Sequence, residues 1–143
     1  MAEPRTNPPD EQQLAEWRRR VVDCHDNLVA ERGEGWNAFW GSQASQHSRY
    51  RIFLEELPLD GADVLEVGCG FGDFLTLAAE KGVRPRRYLG VDLSERILAG
   101  ARARHPQHQF QRLDIFVDTP PLEPDFVIAS GIMAVPLPDY EDY

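Results

Sequence analysis

The residues best suited to chemistry in this chain are one glutamate, three glycines and two aspartates. Glu66, Gly68, Gly70 and Gly72 form a Glu-x-Gly-x-Gly-x-Gly run inside the stretch from Val64 to Asp73. Glycine permits positive φ and lets a ligand approach the backbone without meeting a Cβ. The first N–H groups of a following helix point into the same space. A nucleotide-like ligand is therefore expected over this turn. Asp92 comes 20 residues after Gly72, the interval at which a βαβ unit brings a carboxylate to the end of the neighbouring parallel strand. There it can accept both hydroxyls of a ribose; taken alone, it serves equally well as an acid at a helix start. Asp114 ends a third such segment. The set is built for holding a ligand rather than for attacking one.

Other reactive side chains are sparse. Cys24 and Cys69 are the two cysteines of the chain, too few for a disulfide framework or a cysteine-based zinc site, so free thiols in a reducing compartment are expected. Cys69 lies within the turn, where any small residue suffices, and no base neighbours it in sequence. His25 has no second ligand at helical spacing and reads as structural.

The elements that position these groups follow from periodicity and turn residues. Val64 to Val67 reads as a buried strand, and Phe74 to Ala79 as the helix opened by the glycine turn, stopped at Gly82 and barred from continuing by Pro85. Tyr88 to Asp92 is a second strand. Ser94 caps a helix through Ile97, Leu98 and Ala101, closed by His105-Pro106. Gln107 to Leu113 alternates as an edge strand does, with His108 solvated. Residues 117 to 124 form a proline-rich loop, and Asp125 to Ser130 is a fourth strand apolar enough for a sheet interior. Ser130, Gly131, Ile132 and Met133 should line the pocket at its end.

Upstream, residues 1 to 9 read as a mobile tail. Asp10 with Gln13 makes a capping pair for a helix carrying Leu14, Trp17, Val21, Cys24 and Leu28 on one face and ending near Gly33. The run Arg18-Arg19-Arg20 on this helix reads as a solvated face rather than a phosphate-binding patch. Gly35 to Gly41 concentrates Trp36, Phe39 and Trp40, either as a plug over a core edge or as a lid on a pocket. Ser42 caps the next helix, which runs to about Glu56 with Tyr50, Phe53, Leu54 and Leu57 inward.

At 143 residues and 42% apolar composition the chain suits one soluble globular domain. The net charge is −9, and the last 26 residues carry six acids without a Lys or Arg, which disfavours nucleic acid as a partner. No apolar run approaches the roughly 20 residues of a membrane span, and Met1 to Arg5 lacks the order of a secretory signal, so no membrane role and a cytoplasmic location are expected.

The glycine run resembles the first motif of class I S-adenosylmethionine (SAM)-dependent methyltransferases. The nicotinamide-dinucleotide fingerprint needs a glycine where this chain has Asp73. The glycine turn, Asp92, Asp114 and the strand from Asp125 follow one another at βαβ intervals, which strengthens the likeness over about residues 42 to 135. The resemblance implies an α/β, Rossmann-like three-layer sandwich with a mostly parallel sheet, of which the order 3-2-1-4 is present, and a helical N-terminal extension. Residues 1–41 would form the tail, helix and aromatic segment, and residues 42–143 the SAM-binding domain. It implies cofactor contacts from Glu66, Gly68, Cys69, Gly70, Gly72, Asp92, Leu93, Asp114, Ile115 and Ser130. Asp114 would take the adenine amino group and the Ile115 N–H a ring nitrogen. Arg49, Tyr50 and Arg51 are the candidates for the cofactor carboxylate, and no metal is implied.

The family's sheet has seven strands, and this chain carries four. The expectation is a truncation after the fourth, with the exposed edge otherwise covered by a second copy or by the N-terminal helix and aromatic segment. The implied activity is methyl transfer to a small-molecule acceptor. A catalytically silent SAM-binding or partner-binding module is the alternative, since no residue in the sequence is a convincing general base.

Overall fold

Strand β1 (Asp63–Val67) is the axis of the molecule. In the computed structural model, which describes residues 10–132, it pairs in parallel with β2 (Arg87–Asp92) on one side and β4 (Phe126–Ala129) on the other. β3 (Gln109–Arg112) adds in parallel to β2, giving the order β3-β2-β1-β4. All four strands run the same way, so their C-terminal ends and the loops that follow share one edge of the sheet. β3 and β4 are shorter than the sequence pattern indicates, because a ladder ends where the neighbouring strand stops offering hydrogen-bond partners.

Alternation along the strands divides the core in two. Val64, Tyr88, Phe110 and Ile128 face α3 (Gln43–Glu56), α4 (Asp73–Glu80) and α5 (Glu95–Arg104), which contribute Tyr50, Phe74, Leu75, Leu77, Ala78, Leu98 and Ala101 to the main cluster. Leu65, Leu89 and Val91 face the other way, onto Leu113, Ile115 and Leu122 of the loop between β3 and β4. The second helical layer of a three-layer sandwich is not among the described residues, and this loop stands in part of its place. β4 is an edge: Val127 is 59% exposed on the loop-covered face.

The caps follow the sequence pattern. Asp10 and Gln13 form a reciprocal capping box for α1 (Glu11–Arg32), and Ser42 and Ser94 accept from the N–H groups of Ser45 and Ile97. At the opposite end of the sheet Asp63 is buried and takes guanidinium groups from Arg86 and Arg87, pinning the start of β1 to that of β2.

The inward side of α1 is broader than the expected apolar stripe: Leu14, Trp17, Val21, Cys24 and Leu28 are half-buried, as are Arg18 and His25 beside them, and Val29 is the buried residue of the helix. Polar anchors hold this side in place. Arg18 pairs with Asp114, and the Ser94 hydroxyl donates to the Asp26 carboxylate at 2.5 Å. His108 is half-buried rather than solvated, its ring edge-on to Tyr88 with centroids 5.5 Å apart. Neither the N-terminal tail (residues 1–9) nor residues 133–143 belong to the described part.

Candidate functional site

The glycine turn leaves β1 at Val67 and is stitched at once to β2: the N–H groups of Gly68 and Cys69 both donate to the Val91 carbonyl, at 2.8 and 3.1 Å. This brings the turn over the end of β2. The Gly70 N–H then donates to one Asp92 carboxylate oxygen at 3.1 Å, and the Ser94 N–H to the other at 3.2 Å. Asp92 is thus held by two backbone donors, with its remaining lone pairs free. Gly70 is left-handed, and a Cβ there would meet nothing, so its open side is cavity. Gly72 is also left-handed, but a Cβ on it would lie 2.7 Å from the His105 ring; it is glycine for packing at the start of α4.

Above the turn is a cavity of about 420 Å³. Its floor is Gly68 to Phe71, and one side is the ends of β2, β3 and β4: Asp92 and Leu93, Leu113 to Phe116, and Ser130 to Ile132. The other side comes from α3 (Ser45, Gln46, Arg49, Tyr50), from the short helix α2 (Trp36–Phe39) and its exit (Phe39, Trp40, Gly41), and from Val21 and His25 of α1. The aromatic segment therefore plugs and lines at once: Ala38 is buried, Phe39 stacks near Phe71, and Trp40 packs on Gly131.

Eight residues implicated by sequence line this cavity together: Gly68, Cys69, Gly70, Asp92, Leu93, Asp114, Ile115 and Ser130. Glu66 and Gly72 stand behind it. Strand alternation turns Glu66 to the helix-covered face, 2% exposed, where it accepts from the Tyr88 hydroxyl. Burial, opposed by that hydrogen bond and reinforced by the Asp73 and Asp92 charges, pushes its carboxyl up to about 8, so it is protonated at neutral pH. Burial likewise holds the Cys69 thiol well above its usual range, which leaves it no thiolate for attack. Asp114 is engaged on both oxygens: one pairs with Arg18, and the other accepts the Phe116 N–H at 3.0 Å. Of the three candidates on α3, Arg49 and Tyr50 line the cavity and Arg51 is exposed away from it. The Arg49 guanidinium lies over the Trp40 ring, 5.1 Å from its centroid, and burial raises the Tyr50 phenol beyond physiological titration.

The wall residues outside the expected contacts include Gln46, Asp73 and His25. Gln46 is buried and donates to Asp73 at 2.8 Å, joining α3 to the start of α4. Asp73 itself, noticed only as a departure from a glycine pattern, faces the cavity. His25 does too, edge-on to Phe39 at 5.2 Å. Its position in an otherwise half-buried helix was the one available signal. Met133 lies outside the described residues. Among the described residues no cluster of three or more metal-ligating side chains occurs, and no helix is long and apolar enough to cross a membrane.

Residues 64–143, from the first strand through the last residue of the chain, match the family described as methyltransferase domain. The chain belongs to this family. Among its relatives, the trans-aconitate 2-methyltransferase of Azoarcus sp. is 34% identical over 91 residues, which are 63% of this chain and 35% of that protein. An S-adenosylmethionine-dependent methyltransferase of known structure from Mesorhizobium loti is 32% identical with a TM-score of 0.50, over 61% of this chain and 39% of that one. The magnesium protoporphyrin IX methyltransferase of Synechocystis, solved with bound SAM, superposes with a TM-score of 0.60 over 90% of this chain and 65% of its own. At 19% identity the last shows the fold alone. This methyltransferase-family chain spans about a third of the length of the curated relatives it matches.

Proposed function

We propose that this chain binds S-adenosylmethionine and transfers its methyl group to a small-molecule acceptor in the cytoplasm. The observation that carries the reading is Asp92: a carboxylate fixed by the N–H groups of Gly70 and Ser94, at the end of the second strand and facing the cavity. Such a group accepts the two hydroxyls of a ribose. The rest of the site fits the same ligand. The left-handed, open backbone at Gly70 admits close approach, and a cavity of about 420 Å³ falls within the roughly 300–1,000 Å³ usual for such ligands. The names of the relatives support the same assignment.

Bound SAM would supply an electrophilic methyl on a sulfonium. The chain's own residues bind, orient and shield. Asp92 would hold the ribose, Leu93 and Ile115 would give the base apolar contact, and Asp114 with the Ile115 N–H would read its edge. Arg49, steadied on Trp40, would take the amino-acid carboxylate. Ser130, Phe39 and Trp40 also line the cavity and would border an acceptor brought to the methyl group. Alignment supplies much of the rate of such an in-line transfer, and a base is needed only for an acceptor that must lose a proton.

A second reading, SAM binding without turnover, is favoured by one observation: β4 is an open edge, with Val127 exposed, so the wall beyond it is incomplete among the described residues. Further polypeptide or a second copy of the chain would cover that edge, and sedimentation of the purified chain distinguishes a monomer from a dimer. Calorimetry with SAM and its demethylated product S-adenosylhomocysteine (SAH), followed by a methyl-release assay with candidate acceptors, tests the function. Binding with turnover is the expected result. Binding without turnover on any acceptor selects the second reading, and absence of binding refutes both.

A further inference from the structure

The ribose acid has a neighbour that the function above does not use. His25 projects from α1 into the cavity wall, its ring edge-on to Phe39 with centroids 5.2 Å apart and 80° between planes. Neither ring nitrogen has a hydrogen-bond partner among the described residues. A half-buried imidazole without a partner on the wall of a ligand cavity is poised to bond to what the cavity holds. The anchors of α1 fix where it stands. The Asp26 side chain and carbonyl are bonded to Ser94 and Arg96, next to the Asp92 turn, and Arg18 is paired with Asp114 one strand away. His25 lies between these anchors, close enough to Asp92 to feel its charge.

The chemistry of a vicinal diol makes this placement meaningful. Its two O–H groups are donors that Asp92 can accept, and its two oxygens are acceptors that a carboxylate cannot satisfy. An N–H donor is needed on the far side. We propose that His25 is a nucleoside-binding residue, donating a ring N–H to a ribose hydroxyl oxygen whose own proton goes to Asp92. This rests on the SAM-binding reading above. Burial holds the imidazole below its ordinary pKa although Asp92 and Asp26 oppose the shift, so at neutral pH the ring is uncharged, with one N–H to donate and one nitrogen to accept.

The test is calorimetry on the full chain with SAH and with its 2′-deoxy and 3′-deoxy analogues. His25→Ala is expected to weaken SAH binding about fivefold to tenfold, while the analogue that lacks the contacted hydroxyl binds the variant and the native chain alike. His25→Gln, which restores an N–H donor, recovers part of the loss. A second readout needs no substitution: the ¹⁵N resonances of the His25 ring move on addition of SAH and stay in place with the critical deoxy analogue. Equal losses on all three ligands, no loss on any, or ring resonances indifferent to the missing hydroxyl would each overturn the assignment. A native chain that fails to bind SAH at all refutes instead the SAM-binding reading on which it rests.

Discussion

Replacing Glu66 by Gln should flatten the dependence of stability on pH. Glu66 is buried under the glycine turn, and its carboxyl is pushed up to about 8 from an ordinary 4.5. Between those values the folded chain keeps a proton that the unfolded chain releases. The native state therefore binds more protons, and the slope of unfolding free energy against pH is negative there. Each pH unit inside the window costs about 1 kcal/mol, and the whole window on the order of 5 kcal/mol. That compares with roughly 5–15 kcal/mol for a whole domain. The stabilisation is complete below about pH 4.5 and is lost progressively as pH rises through 8. Gln keeps the shape and can still meet the Tyr88 hydroxyl, but it has no proton to lose. Urea unfolding at several pH values from 5 to 9 measures both curves. Native stability should fall toward pH 8 relative to that of Glu66→Gln, with the variant the more stable at the alkaline end. Parallel curves would refute the idea that this carboxyl is neutral in the fold.

Asp92→Ala should weaken SAM binding by about 1 to 3 kcal/mol, read by calorimetry, because it removes a fixed acceptor for ribose hydroxyls; an unchanged dissociation constant rejects the assignment. Gly90→Ala should destabilise the fold by about 1 to 3 kcal/mol, since a Cβ there would stand 2.8 Å from the Phe110 ring and 2.9 Å from the Cys69 sulfur. Thermal melts check it, and a neutral outcome would mean that this crowding relaxes freely. Asp63 is held far below the usual carboxylate range by Arg86 first and Arg87 second. The stability it contributes is present above its ordinary pKa and fades as pH falls through the depressed one. Asp63→Asn should therefore reduce the acid sensitivity of unfolding below pH 4, and an identical acid limb in both proteins would contradict that.

The sheet, its order and the strand-end acids were legible because each rests on local signals: β-branched runs, capping serines at 42 and 94, and glycines forced by left-handed backbone. The resemblance implied ten cofactor contacts, and eight of those residues line one cavity. What was not legible depends on side-chain direction and on contacts between distant segments. Glu66 shares its motif with the cavity glycines, yet one step of strand alternation turns it to the other side of the turn. The seating of α1 was not legible, because its apolar stripe is only half-buried and does not by itself anchor the helix. Here an ion pair 96 residues away in sequence, Arg18 to Asp114, and the Asp26–Ser94 bond decide it. That seating brings Val21, from the apolar stripe, and His25 beside it to the cavity.

Glu66 and the cavity are also coupled through charge. Asp73 and Asp92 both face the cavity and both help to keep Glu66 protonated. A cation bound beside them offsets their field and favours release of that proton. SAM carries a sulfonium that SAH lacks, while the two share ribose, base and amino acid. Their affinities should therefore respond differently to pH. As pH rises from 7 to 9, Glu66 ionises and the added negative charge favours the sulfonium, so the ratio of SAM to SAH affinity should increase. The α-amino group titrates in the same range and is more acidic in SAM, near the sulfonium, than in SAH, so the native ratio is read against that of Glu66→Gln, where this contribution is the same. The ratio should rise more steeply with pH in the native chain than in the variant. The same pH dependence of the ratio in both would show that the carboxyl beneath the turn does not sense the ligand above it.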